Sequence, residues 1–296
     1  MKVCAGIVLF NPEIDKLKQN IAAISNQVDT IVLLDNASDN AEEIQEQFNE
    51  ERFIWIRNEK NLGVATGLNQ IINYAAQSGF KWVLTLDQDS VCGEQLVEKL
   101  LAVGEDGEEN NIAMVSPQVI EQGLANLEDN TEAKLAVNLE TKPVKQLQEE
   151  KVSFCITSGC LTNVSAIQEI GGFNDWLFID FVDYEMCIRL RHKGYQIIKI
   201  NTAELYQEYG LKTVSRRIFH KKYIYHNYTP HRVYYQARNT MYMLRKYGAD
   251  FKPNPFLQYF RPIITFSVKF IFEPKRFKRL SAFTRGYFTG LFMKIR

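Results

Sequence analysis

Two carboxylates one residue apart, Asp87 and Asp89, close the stretch LTLDQDS at 84–90. The apolar run at 82–86 just before them reads as a buried strand. The two acids then fall at the carboxyl end of that strand. Open α/β sheets bind ligands at this edge. Paired hard oxygen ligands there suit a divalent cation that in turn holds phosphate oxygens. Taken alone, Asp-x-Asp is equally a solvated loop with two acids, so the rest of the chain has to decide.

Other polar residues recur at strand ends. The first apolar run stops at Asn11-Pro12, and the second at Asp35-Asn36-Ala37-Ser38. A third leads to Asn61-Leu62-Gly63, with Gly67 and Asn69 following on a helix. A carboxylate such as Asp35 can accept a hydrogen bond from a pyrimidine ring N–H. Gly63 allows close backbone approach to a ligand. Each has a plainer reading. Asp-Asn-x-Ser is a common turn, and Asn-x-Gly often only caps a helix. Four such ends on successive strands, converging on one crevice, outweigh the single coincidences.

The elements that position these residues alternate. Strand patterns at 3–10, 30–35, 52–57, 81–87 and 112–116 are separated by helix patterns at 13–26, 41–48, 64–77 and 93–103. Such alternation predicts an α/β fold, a mostly parallel sheet flanked by helices. Right-handed crossovers put the strand ends at one edge. Residues 121–150 are polar and acidic and read as a surface insertion or irregular strands. A strand at 151–157, short helices at 164–170 and 183–193, a strand at 195–200 and a long helix at 232–247 follow. His226 and His231 flank Thr229-Pro230 and read as loop residues, while His192 reads as exposed.

Net charge is zero over 296 residues, which excludes the chain as a whole from binding polyanions such as nucleic acid. The zero conceals an asymmetry. Residues 251–296 hold ten Lys and Arg against one acid, Glu273, so this segment is +9 and residues 1–250 are −9. The basic segment is also aromatic, with an apolar block at 256–272 broken by Pro262 into two short helices. Basic and aromatic residues together suit an anionic membrane surface, or a helical pair packed on protein. The domains expected are 1–250, catalytic, and 251–296, a helical extension. The five cysteines form no CxxC pair and read as buried free thiols in a reducing compartment. The short apolar run at 3–10 is no signal peptide and no run spans a bilayer, so the expected location is cytoplasmic, peripheral at the inner face of the plasma membrane.

In this order, Asn11-Pro12, LLDNAS, NLGVATGLNQII, the LTLDQDS strand end and GGFNDWLFIDFVDYEMCIRLRHKGY resemble the family 2 glycosyltransferases of GT-A (Rossmann-like) fold. The resemblance covers roughly the first 250 residues. Within the family, LDQDS, FIDFVD and YYQARN resemble the bacterial rhamnosyltransferase-like subgroup. The resemblance implies that Asp35 recognises the pyrimidine base. Asn11, Asn36, Asn61, Gly63, Asn69 and Asp87 would line the nucleotide-sugar site, and Asp89, with Asp87, would bind Mg²⁺ or Mn²⁺ on the diphosphate. Asp183 aligns with the general base of inverting members, and Asp180, three residues earlier, is its rival. Simple N-capping is the plainer role for Asp183. Ser158-Gly159 resembles the acceptor-side floor. Trp176 is a wall for the acceptor sugar or a core tryptophan.

Many relatives place a histidine ligand where this chain reads LYQEYG, with Gln207 there. An amide oxygen serves Mg²⁺ better than it serves a transition metal. The implied activity is inverting, metal-dependent transfer of rhamnose from dTDP-rhamnose onto a saccharide or lipid-linked acceptor in bacterial surface polysaccharide synthesis. UDP-hexose or UDP-N-acetylhexosamine transfer on the same scaffold is the alternative. A nucleotidyltransferase would need a glycine-rich basic loop after the first strand, where Asn11-Pro12-Glu13 stands. A non-catalytic nucleotide-sugar-binding subunit would not need Asp87, Asp89 and Asp183 together.

Overall fold

The computed structural model describes residues 2–106, 111–122, 149–208, 213–218, 221–226, 228–250, 262–263, 266 and 276–295. The segment at 123–148 and nearly all of the block at 256–272 lie outside them. The chain forms two compact units. The first comprises residues 1–62, 66–173 and 186–209, and the second comprises 63–65, 174–185 and 210–296.

In the first unit, the apolar runs become β1 (Val3–Leu9), β2 (Thr30–Asp35), β3 (Phe53–Arg57) and β4 (Trp82–Asp87), parallel in the order β3-β2-β1-β4. Successive side chains alternate between the two faces. Val3, Ala5, Ile7 and Leu9 share one face with Trp82, Leu84 and Leu86. There they meet Leu17, Ile21 and Ile24 of α1 (Ile14–Ile24), Ile44 of α2 (Ala41–Gln47) and Leu96, Val97 and Leu100 of α4 (Leu96–Asp106). The opposite face takes α3 (Val64–Gln77), and glycine sets its approach. A Cβ on Gly6 would lie 2.3 Å from Ile71 Cγ2, and one on Gly67 3.0 Å from both Val8 methyls. The helix therefore seats directly on β1.

Beyond β4 the parallel arrangement gives way to a mixed one. β8 (Cys160–Asn163) pairs antiparallel with β4 and with β6 (Ile112–Gln122). β9 (Gln196–Glu208) runs parallel to β6 and antiparallel to β5 (Ser90–Cys92) and β7 (Glu149–Lys151). The strand expected at 151–157 is displaced to the flanking β7 and β8. The Val152 amide keeps one bond, to the Ile197 carbonyl. The chain then turns at Gly159 (φ +76°), whose amide donates to the Thr85 carbonyl, and the ladder starts only at Cys160. α5 (Val164–Glu169) is capped by Asn163, whose side chain accepts from the Ala166 amide. All five cysteines are buried thiols outside any disulfide, and burial pushes the Cys4 and Cys92 thiols up to about 12.

The second unit includes the first turn of α6 (Val182–His192), the rest of which belongs to the first unit. It contains the hairpin β10 (Thr213–Ile218) and β11 (Lys221–His226), α7 (Pro230–Tyr247) and α8 (Arg276–Phe292). α7 starts at Pro230, with Thr229 as its cap. His231 is therefore helical, its ring edge-on to Phe178 and Tyr235. α8 buries Arg279, Ala282, Gly286 and Gly290. A Cβ on Gly286 would lie 2.3 Å from the Tyr234 carbonyl oxygen, and one on Gly290 2.2 Å from that of Arg238. α7 and α8 thus touch backbone to backbone. Arg245 donates to the carbonyls of Gly290 and Met293 at the end of α8 (3.1 and 2.7 Å). Among the described residues, no helix is long and apolar enough to cross a membrane.

Candidate active site

In the first unit, the carboxyl ends of β1, β2 and β4 lie in register. Leu9 pairs with Asp35 and Val8 with Asp87, so the two acids flank the end of β1. Asp35 is buried, and its carboxylate accepts from the Ser38 amide (3.1 Å). Asn11 (φ +47°) turns the chain out of β1. Its amide oxygen accepts from the Asp39 N–H (2.7 Å), and its own N–H donates to the Ser38 hydroxyl (2.9 Å). Asn36 is buried and ties the edge together. Its oxygen accepts from Asn58 Nδ2 and the Leu62 amide (3.0 and 2.9 Å), and its nitrogen donates to Asn61 Oδ1 (3.0 Å). Asn11, Asp35, Asn36, Asn61 and Asp87 therefore share one edge. Asn69 spends both ends of its amide on the Phe173 backbone (2.7 and 2.9 Å), which anchors α3 to the segment after α5.

Asp87 is held from three sides. Its amide donates to the Ser158 hydroxyl (3.0 Å), and its carbonyl accepts from Asn20 (2.7 Å). Gln207 Nε2 donates to Asp87 Oδ2 (2.8 Å). Ser158 in turn shares a hydrogen bond with Ser90 (2.8 Å), and Ser90 pairs with Gln207 across β5 and β9. Ser158 and Gly159 thus form the floor beneath Asp87. Asp89 lies between β4 and β5 and is half-buried.

Gln207 Oε1 is buried and, among the described residues, accepts no hydrogen bond. Buried acceptors are almost always satisfied by a donor, a water or an ion. An amide oxygen left over beside a carboxylate fits a hard cation, which needs oxygen ligands. Asp87 and Gln207 thus bring together oxygens of the kind that Mg²⁺ takes. Among the described residues, no group of three His, Cys, Asp or Glu gathers, so an all-acid or histidine set is not what these residues offer.

In the second unit, the stretch around Asp180 is backbone-strained. Phe178, Asp180 and Phe181 all have left-handed φ (+64°, +61° and +65°). Such values are outliers for bulky residues. Two neighbours on α7 hold the stretch. Asn239, fully buried, donates to the carbonyls of Leu177, Ile179 and Asp180 (2.9, 2.7 and 3.0 Å). Arg238 donates to the carbonyls of Trp176 and Leu177, and its guanidinium carbon lies 3.6 Å from the Trp176 ring centroid. One face of Trp176 is thereby covered. Gly63 (φ +86°) belongs here too. A Cβ on it would lie 2.6 Å from Phe178 Oxygen of the backbone, and the Val64 amide donates to that carbonyl (2.7 Å).

The two candidate bases differ. Asp180 grips Arg232 through both oxygens (3.0–3.3 Å). Asp183 stands in the first turn of α6, half-buried, where the helix dipole favours the ionised form. Glu185 is fully buried, bonded by Tyr247 (2.7 Å) and paired with Lys246 (3.7 Å). Arg189 donates to the Ile170 and Gly172 carbonyls (2.6 and 2.7 Å). His192 is exposed, as the sequence indicates. Sequence reasoning did not find the roles of Arg232, Arg238 and Asn239. For Arg238 and Asn239 the available signal was the run YYQARN on a long helix.

A sequence model described as glycosyl transferase family 2 matches residues 4–171. The chain is 27% identical over 252 residues to the dTDP-rhamnosyl transferase RfbF of Shigella flexneri, covering 82% of this chain and 80% of that protein. Two solved structures share the fold. One is GalNAc-T7 with UDP, GalNAc and Mn²⁺ (TM-score 0.55, 14% identity, 71% of this chain). The present chain spans 44% of that longer one. The other is S. aureus TarS 1-349 in complex with UDP-GlcNAc (TM-score 0.53, 12% identity, 97% of this chain and 79% of that one).

Proposed function

The chain belongs to glycosyl transferase family 2 and is a glycosyltransferase of GT-A fold; we propose that it is an inverting, metal-dependent rhamnosyltransferase that uses dTDP-rhamnose. The observation that carries the donor reading is the pair of acids flanking the end of β1. Asp35 accepts the ring N–H of the pyrimidine. Asn11, Asn36 and Asn61 shape the nucleotide side, with Asn69 holding α3 to the Phe173 backbone. The similarity to a dTDP-rhamnosyl transferase favours dTDP-rhamnose over a UDP-sugar. Both nucleotides offer the same N–H to Asp35, so the binding test below separates them.

Asp89, Asp87 and Gln207 would hold Mg²⁺ or Mn²⁺. When bound, the cation offsets negative charge on the departing diphosphate. Asp183 takes the proton from the acceptor hydroxyl as that oxygen attacks the anomeric carbon. The new C–O bond forms on the face opposite the departing nucleotide, which inverts the configuration. In the first unit, Ser158 and Gly159 support the acceptor side beneath Asp87. The acceptor is a saccharide, free or lipid-linked, in surface polysaccharide synthesis, and the place of work is the inner face of the plasma membrane. The exposed face of α8 supports this location, with Phe277, Leu280, Phe288 and Phe292 in the open and basic residues beside them.

Melting the full-length protein with dTDP, UDP and GDP, each with and without Mg²⁺ or Mn²⁺, tests the reading. A ligand that binds only the folded state raises the melting temperature. We expect dTDP with a cation to give the largest shift, and Asp89→Ala to abolish the cation-dependent part. A larger shift with UDP moves the donor to a UDP-sugar. An Asp89→Ala protein with the full metal-dependent shift, or a parent whose transfer survives EDTA, removes the metal assignment.

A further inference from the structure

The strained stretch in the second unit borders a cavity. Asp180, Phe181, Tyr184, Gln236 and Thr240 line an open pocket of about 330 Å³. Left-handed backbone at bulky residues persists only where the surroundings over-determine it, and such strain clusters at ligand sites. Here Asn239 and Arg238 supply that constraint from α7, by five hydrogen bonds to four consecutive-region carbonyls at 176, 177, 179 and 180. The strain places Asp180 and Phe181 on the wall of the pocket.

The lining has a definite chemistry. Phe181 and Tyr184 present two tilted rings 6.0 Å apart, and Tyr184 is 42% exposed. Gln236 and Thr240 stand one turn apart on α7. The Thr240 hydroxyl donates to the Gln236 carbonyl (2.6 Å), which leaves its oxygen to accept. The Asp180 carboxylate is oriented and charge-compensated by Arg232. Aromatic faces beside an amide, a hydroxyl and a carboxylate match the C–H face and hydroxyls of a pyranose ring. Compensation of the one acid removes any demand for a charged ligand, so the pocket does not suit a nucleoside diphosphate.

We propose that this pocket binds a neutral sugar unit of the acceptor saccharide, with Tyr184 as stacking platform and Gln236 and Thr240 as hydroxyl partners. This rests on the glycosyltransferase reading but names residues that the reading does not need. Saturation-transfer NMR on the full-length protein, with dTDP and Mg²⁺ present in excess, tests it with methyl rhamnoside and methyl glucoside as probes. The parent should transfer saturation to at least one pyranoside. Tyr184→Ala should weaken the signal at least fivefold, Gln236→Ala should reduce it, and Tyr184→Phe should retain it. No signal in the parent, or equal signals in Tyr184→Ala and the parent, overturns the proposal. The dTDP-induced melting shift, measured on the same samples, reports folding and the donor site. A kept shift with failed sugar binding sinks the pocket alone, while no dTDP shift in the parent sinks the proposed dTDP-rhamnose donor and leaves the pocket to be judged by the sugar signal.

Discussion

Asp180 and Asp183 lie three residues apart, yet their surroundings assign them different work. A general base needs an oxygen that can receive a proton. Asp180 spends both oxygens on the Arg232 fork and lines the sugar-sized pocket. Asp183 sits at a helix start, where its charge is favoured. Asp183→Asn should therefore lower kcat by about 10²-fold or more, the scale of a lost general base, with donor KM unchanged. Asp180→Asn should act chiefly on acceptor KM, since it loosens the pocket wall and leaves Arg232 uncompensated. Steady-state kinetics with both substrates varied separates the two. The reverse assignment holds if Asp180→Asn shows the pure kcat loss and Asp183→Asn does not.

At the scale of elements, glycine decides which helices approach most closely. α7 and α8 meet through Gly286 and Gly290, whose missing side chains would clash with carbonyl oxygens, a backbone contact that cannot swing aside. Gly286→Val should force the helices apart and destabilise the protein by about 1–3 kcal/mol or more, as overpacking does. The melting temperature should fall by several degrees, at about 2–4 °C per kcal/mol for domains of about 150–250 residues. Thr284→Val, on the exposed side of the same helix, serves as control and should leave it unchanged. An unaltered melt for Gly286→Val would show that the seam is not packed as described. The same elements mark what the sequence discloses. β1, β2 and β4 announce themselves, because a parallel strand buried on both faces is an apolar run that must end in polar residues. Asp35 and Asp87 were legible for that reason. β8 was not, because Cys160–Asn163 is short and gains its place only by pairing with β4 and β6, which are distant in sequence. Arg238 and Asn239 were hidden differently. Their partners lie 59–62 residues earlier and are backbone carbonyls, which leave no residue pattern. The leftover oxygen of Gln207 is visible only in three dimensions.

Across the whole molecule, charge is divided between a segment at +9 and the remainder at −9. α8 gives part of that segment a shape. At about 100° per residue, Phe277, Leu280, Phe288 and Phe292 fall on the side of the helix opposite Gly286, and all four are exposed. Lys278 and Arg285 border this stripe on one side, and Arg276 on the other. An apolar ridge with basic margins fits the interface of an anionic bilayer, aromatic rings at the acyl boundary and cations among the headgroups. Each basic group near such a surface contributes about 1 kcal/mol, and salt screens it. Full-length protein should therefore sediment with phosphatidylglycerol-containing vesicles at low salt, release at high salt, and ignore pure phosphatidylcholine. Deleting the segment would be a poor test, because removing α8 uncovers the backbone of α7 along the glycine seam. Point changes on the exposed side avoid this. Phe277→Ser, Phe288→Ser and Phe292→Ser combined should remove most of the binding while the melting temperature holds, and Arg276→Glu with Lys278→Glu should weaken binding at low salt and flatten its salt dependence. Equal sedimentation of parent and triple variant, or no sedimentation of the parent at low salt, would assign this face to a protein partner instead of a lipid surface.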